Sequence, residues 1–175
     1  MLFRSPASSK DHRPNSHGAA TSSVERYGAM SIDSLMKMKI DKYAAADSHL
    51  YLWTTNSFLV EAHELMEAWG FKQKTMITWG KLKPDGTPSM KTGFYFRGAS
   101  EHCLFGVRGK LRLMGPAEAT LILTPRLPHS VKPEEFYAMV ERQSPGPRLD
   151  VFARVKRDGW DVFGNEVQSD VDLVA

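Results

Sequence analysis

A single cysteine, Cys103, rules out an internal disulfide and points to a reducing compartment, with the cytoplasm as the expected location. The histidines at 12, 17, 49, 63, 102 and 129 lack a paired ligand spacing. With one cysteine to join them, no zinc cluster or other metal site is expected. No apolar run approaches the ~20 residues that a membrane helix needs. The polar N-terminus does not resemble a secretory leader, so no membrane association is expected. A Walker loop, a G-x-G-x-x-G turn, a nucleophile elbow and a His-Glu-x-x-His pair are all missing, and the enzyme classes that depend on them lose their support.

What is present suits one domain with a real core. Hydrophobic residues make up 42% and charged residues 25% of the 175, ordinary values for a soluble globular chain. The net charge is +3, unevenly spread. Lys72, Lys74, Lys81, Lys83 and Lys91 face one acid, Asp85, between Phe71 and Lys91. A loop that tracks phosphates has this pattern, and so does a solvated loop. Residues 1–26, rich in Ser, Pro, His and Ala, read as a flexible N-terminal segment.

From Ala45 the pattern becomes regular. Residues 49–55 form an apolar run consistent with a buried strand. Asn56 and Ser57 can cap a helix whose apolar positions are Phe58, Leu59, Ala62, Leu65, Met66 and Trp69, and Gly70 ends it. Further strands are expected at 73–80, 101–107, 119–123 and 149–153. A helix is expected from Pro133 to about Gln143, with Glu134 and Glu135 in its first turn. Strands alternating with helices predict an α/β fold with a mainly parallel sheet, whose ligands bind at the carboxyl ends of strands. Glu101, His102, Lys132, Arg154, Asn165 and Glu166 fall at strand or helix ends. They suit a pocket for an anion or nucleotide, and equally suit surface and capping positions.

Several segments carry a more specific signal: "RYGAMS" (26–31), "LYLWTTNSFLVEAHELMEAWGF" (50–71), "TWGKLK" (78–83), "FRGASEHCLFGVRGK" (96–110), "HSVKPEEFY" (129–137), "ERQSPGPRLDVFAR" (141–154) and "GWDVFGNEV" (159–167). In this order they resemble the blocks of the MT-A-seventy family, whose members transfer the methyl group of S-adenosylmethionine to the exocyclic amino group of adenine in RNA or DNA. The resemblance implies a Rossmann-like methyltransferase fold of permuted strand order over residues 27–168, with 169–175 as a C-terminal tail. It also implies site roles. Lys132 would meet the cofactor's carboxylate, and Arg154, Asn165 and Glu166 would surround its ribose and adenine. Tyr27 and Glu101 would line the target-base pocket. Trp53 is expected in the core, and His129 is expected either to support the turn at Lys132 or to stand exposed.

The sequence departs from the family at one point. The family's signature, Asp-Pro-Pro-Trp at the end of an N-terminal strand, does not occur. The opening "MLFRS" resembles the segment that follows that motif. The expectation is therefore a coding start upstream of Met1, with the catalytic residues unassigned and the N-terminal strand absent; the alternative is a degenerate remnant. The motif's Asp side chain and Pro carbonyl would accept from the two amino protons of adenine and aim its lone pair. Lacking it, the chain is expected to show no methyl transfer, and a version extended to carry the motif is expected to bind the cofactor. A second function class is a non-catalytic methyltransferase-like subunit that binds nucleic acid or an active partner. A third is an unrelated nucleotide-binding α/β protein. Whether the chain forms a homo- or hetero-oligomer is open at this stage.

Overall fold

The computed structural model describes residues 30–128 and 130–174 and the backbone of 2–4. Among the described residues, seven strands form one sheet in the order β5-β3-β4-β2-β1-β6-β7. They are β1 (Leu2–Arg4), β2 (Ser48–Thr54), β3 (Lys72–Leu82), β4 (Ser100–Arg108), β5 (Leu121–Pro125), β6 (Arg148–Val151) and β7 (Trp160–Phe163). The helices are α1 (Ile32–Met36), α2 (Ile40–Tyr43), α3 (Leu59–Ala68) and α4 (Glu134–Gln143).

Both sheet faces are covered, which is why the central strands read as unbroken apolar runs. On one face Leu50, Leu52 and Leu104 pack with Leu35, Ile40, Leu65 and Met66. On the other, Tyr51, Trp53, Trp79, Cys103 and Phe105 pack with Phe136, Tyr137 and Val140 of α4. The second face is an aromatic lattice. The Phe136 ring centroid lies 4.7 Å from that of Trp53 and 5.8 Å from that of Tyr51. Trp53 is 1% exposed, as expected for a core residue. The α3 helix stops where anticipated. Gly70 takes φ 78°, a left-handed value that favours glycine, and the Phe71 N–H reaches back to the Met66 carbonyl at 3.0 Å.

Several expectations need correction. The sheet is mainly parallel, as expected, with the β1–β2, β1–β6, β6–β7 and β3–β5 pairs parallel, but it is mixed, because β4 runs antiparallel to both β2 and β3. The position expected to lack a strand holds Leu2–Arg4, which pairs with Tyr51–Trp53 on one side and Asp150–Val151 on the other. Two buried parallel strands present backbone groups toward each other there, and those groups need partners. The rest of the segment expected to be flexible, from 5 to 26, lies outside the described residues, as do Tyr27 and His129. Asn56 and Ser57 do not cap α3; they form a 3₁₀ turn with Phe58. The Asn56 amide oxygen is taken by His102 Nε2 at 2.9 Å. Pro133 precedes α4 with ψ 144° and does not open it. Residues 169–174 return to the body, where Leu173 is fully buried and its carbonyl accepts from Lys39 N at 3.2 Å.

One buried polar chain fixes its own proton order. His49 Nε2 lies 3.2 Å from the Leu111 carbonyl, which can only accept, so Nε2 carries the hydrogen. Neutral His49 Nδ1 is then an acceptor for the Ser144 hydroxyl at 2.8 Å, and Tyr51 Oη donates to Ser144 Oγ at 2.8 Å. Burial holds His49 below its ordinary pKa, opposed by the Leu111 bond. Burial also pushes Tyr51 up to about 12, opposed by its Ser144 bond. A second proton on His49 would meet the Ser144 hydrogen head on. Because the folded pKa lies below the unfolded one, the unfolded chain binds more protons as pH falls. This contribution is therefore complete above about pH 6.5 and is lost as pH falls below it. Urea denaturation at pH 7.5 and pH 5.5 should show lower stability at the acid value, and His49→Gln should flatten the difference. An equal slope in the variant would remove His49 from the explanation.

Candidate functional site

The reversal of β4 decides what meets at the carboxyl edge. Its first residues lie beside the last residues of its neighbours, with Glu101 opposite Trp79 and His102 opposite Thr54. Side chains alternate across a strand. Glu101, Trp79, Lys81 and Trp53 therefore share the face covered by α4, where Lys132 stands just ahead of that helix.

Glu101 is clamped by lysines. Lys132 Nζ lies 2.6 Å from its Oε2, Lys81 Nζ pairs with its Oε1, and Lys91 Nζ lies 3.6 Å from the same oxygen. Lys81 and Lys132 are 6% and 7% exposed. Each is also seated on an indole, with Lys81 Nζ 4.2 Å from the Trp79 ring centroid and Lys132 Nζ 4.5 Å from that of Trp53. Burial pushes the Glu101 carboxyl up, but Lys132 and Lys81 together outweigh it and hold the group at about 2. It is ionised at neutral pH. Burial lowers Lys81 by more than Glu101 restores, since that one carboxylate is shared. Three ammonium groups around one carboxylate leave this end of the edge positive, able to accept a further anion.

This arrangement changes two readings. Lys81 belongs to the buried clamp and is not a free phosphate-tracking side chain. Lys83 and Lys91 remain exposed. Lys132 and Glu101, expected in the cofactor and target-base halves of a site, are in direct contact. Sequence order hides this partnership, because it groups Lys81 with the lysines of the loop that follows. The alternation from Ile77 through Trp79 to Lys81 is the available signal, since it puts all three on one face.

The second cluster stands three strands from β4, across β2 and β1, roughly 14 Å at the ordinary spacing of strands. Arg154 follows β6, and its Nε lies 3.4 Å from Glu166 Oε1. The turn after β7 permits this approach: a Cβ at Gly164 would lie 2.2 Å from the Ala153 carbonyl, so only glycine fits there. Glu166 thereby comes up beside Arg154. Their cleft measures about 550 Å³ and is lined by Arg154, Val155, Lys156, Glu166 and Gln168, among others. Asn165 is exposed. His102 faces the other side, bonded to Thr78 Oγ1 at 3.1 Å and to Asn56. Among the described residues, no group of three or more His, Cys, Asp or Glu could hold a metal, and no helix is long and apolar enough to cross a membrane.

With this geometry in hand, the comparisons with known proteins agree among themselves. The MT-A70 family pattern matches residues 13–166. The chain is 30% identical over 146 residues to the Arabidopsis thaliana N(6)-adenosine-methyltransferase MT-A70-like protein, covering 81% of this chain and 21% of that one. It is 29% identical over 159 residues to the human N(6)-adenosine-methyltransferase catalytic subunit METTL3, covering 85% and 27%. It is 27% identical over 148 residues to the zebrafish N(6)-adenosine-methyltransferase non-catalytic subunit METTL14, covering 75% and 32%. The chain thus spans between a fifth and a third of the length of these curated relatives.

The clamp has a measurable consequence. Glu101→Gln removes the charge that two buried ammonium groups share. It should cost about 3 kcal/mol, at the low end for a broken buried pair because the carboxylate retains some exposure. Adding Lys81→Met should recover part of that loss. Urea denaturation of the two variants and the parent checks this. Strict additivity of the two substitutions would contradict the clamp.

Proposed function

The chain belongs to the MT-A70 family, and on that premise we propose that it binds S-adenosylmethionine along the carboxyl edge of its sheet and presents an adenine of RNA or DNA for methylation at the exocyclic amino group. The observation that carries this reading is the pair of polar clusters facing one edge, Lys132 with Glu101 at one end and Arg154 with Glu166 at the other. We assign residues 27–168 to the methyltransferase domain and read the strand order as the family's permuted arrangement.

The residues fit the cofactor by the chemistry of their donors. The positive excess around Glu101 suits a carboxylate, with Lys132 as its cation. A carboxylate such as Glu166 accepts from ribose hydroxyls, and the Asn165 amide both donates and accepts. Arg154 offers a planar guanidinium beside them. The cleft volume of about 550 Å³ lies within the range of small-molecule sites. Bound S-adenosylmethionine supplies a methyl group made electrophilic by its sulfonium. The chain's own part is to orient the nucleophile. The lone pair of an adenine amino group is delocalised into the ring, so the group must be held by acceptors. Glu101, ionised at neutral pH, can accept from one amino N–H and hold the group in line.

A second reading has its own support. Asp-Pro-Pro-Trp does not occur in the sequence, and a relative of similar identity is named a non-catalytic subunit. In that reading the domain binds cofactor or nucleic acid and works with an active partner. Turnover of a version extended to carry Asp-Pro-Pro-Trp separates the two: label incorporated into adenine-containing RNA or DNA supports the first reading, and cofactor binding without incorporation supports the second. The 175-residue chain is expected to bind S-adenosylmethionine and to incorporate no label into adenine-containing RNA or DNA above a heat-killed control.

Calorimetric titration tests the pocket. Loss of a charge-assisted bond is worth ~1.5–3 kcal/mol, so Arg154→Ala should weaken cofactor binding roughly 10–150-fold. Asn165→Ala, which removes a neutral hydrogen bond, should cost less. Parent-like affinity in Arg154→Ala would sink the assignment.

A further inference from the structure

Three consecutive aromatic side chains stand in solvent beside the Glu101 clamp. Phe94, Tyr95 and Phe96 are 107%, 96% and 95% exposed. Aromatic rings dominate cores and interfaces, and a soluble chain rarely leaves three of them uncovered together. Their loop is closed at its base, where Lys91 N donates to the Gly98 carbonyl at 2.9 Å. It is tight at its tip, where a Cβ on Gly93 would lie 2.4 Å from the Phe96 carbonyl. The rings are thus held out by a constrained loop. Its base adjoins the clamp through Lys91, 3.6 Å from Glu101 Oε1.

We propose that the Lys91–Gly98 loop is a stacking platform for the unpaired bases of a nucleic-acid strand, next to the nucleotide held at Glu101. The proposal rests on the reading of this domain as one that acts on nucleic acid, and it adds a site and a strand state to that reading. Two observations select nucleic acid over a protein surface. The first is charge: exposed Lys83, Lys91 and Arg97 flank the rings in sequence. The nearest acid in sequence, Glu101, is held by Lys81 and Lys132, and the exposed Asp85 accepts from its own turn, from Thr87 N at 2.9 Å and Thr87 Oγ1 at 2.6 Å. Cations that follow a phosphate backbone, with rings interleaved for bases, make a single-strand platform. The second is geometry: exposures near 100% mean that the rings do not cover one another, so they offer separate faces and no joint apolar patch. Only two residues, Thr92 and Gly93, part Phe94 from Lys91, about 10 Å over three steps at full extension. That is short enough for nucleotides flanking one at Glu101 to reach the rings. A paired strand keeps its bases stacked on each other and leaves no face for them, so duplex is a poor ligand.

The test uses the full chain and short fluorescein-labelled adenine-containing oligonucleotides, single-stranded and duplex, read by anisotropy. The parent should prefer the single strand. Phe94→Ala/Tyr95→Ala/Phe96→Ala should weaken single-strand binding roughly 5- to 150-fold for each base that loses its ring, without changing the salt slope. Phe94→Trp/Phe96→Trp should retain binding. Lys83→Ala/Arg97→Ala should instead lower the salt slope by about one for each phosphate that no longer meets a cation. Equal melting temperatures would show that the variants are folded. Unaltered affinity in the triple alanine variant, or no preference for the single strand, overturns the proposal. So does a parent that self-associates in sedimentation through these rings while strand binding ignores them. Cofactor titration separates the two readings. Strand binding without S-adenosylmethionine binding would leave this site standing and remove the cofactor pocket, and the converse would do the opposite.

Discussion

The shared ion pair at Glu101 is the constraint around which the candidate functional edge is arranged. It exists because β4 runs against its neighbours and so delivers its first side chain to their last ones. Taking three charged groups out of water is expensive, and hydrophobic replacements of similar size are often no less stable. The arrangement is tolerated because each buried ammonium has both the carboxylate and an indole face. Trp53 and Trp79, in T-shaped contact at 6.2 Å, thereby serve the core on their buried side and the clamp at its rim. A packed aromatic core gives the clamp the rigid base that a positioning group needs.

Electrostatics then divide the edge. The Glu101 end carries excess positive charge inside the fold, where screening is weak. The Arg154 end pairs a guanidinium with a half-exposed carboxylate in an open cleft. The first suits a compact anion and the amino group of a base, the second a sugar and a ring that need directional hydrogen bonds. Between β4 and β6 lie β2 and β1, so the division follows the order of the strands.

Much of this is legible in the sequence, for physical reasons that differ by element. Strands β2 and β4 stand out because burial on both faces makes them continuously apolar, and α3 and α4 because their apolar positions recur at helical spacing. The reversal of β4 is hidden, since a doubly buried strand reads the same in either direction. Strand β7 escapes notice because it is four residues long and carries Asp161, although Trp160 and Val162 point inward in alternation. The candidate site residues draw notice as polar groups at element ends, and the family resemblance gives each an expected role. Spacing alone cannot join Lys81 and Lys132 to Glu101, because that contact depends on the direction of β4. The three exposed rings give no signal either, since an apolar run in sequence is read as buried until a structure shows it in solvent.

If the two clusters serve one cofactor, its path runs from Lys132 across the carboxyl end of β1 to Arg154 and Glu166. A crystal structure of the 175-residue chain with S-adenosylmethionine tests that path most directly. The expected result is the cofactor's carboxylate at Lys132 and its ribose hydroxyls at Glu166. A cofactor bound elsewhere on the surface, with both clusters untouched, would contradict it.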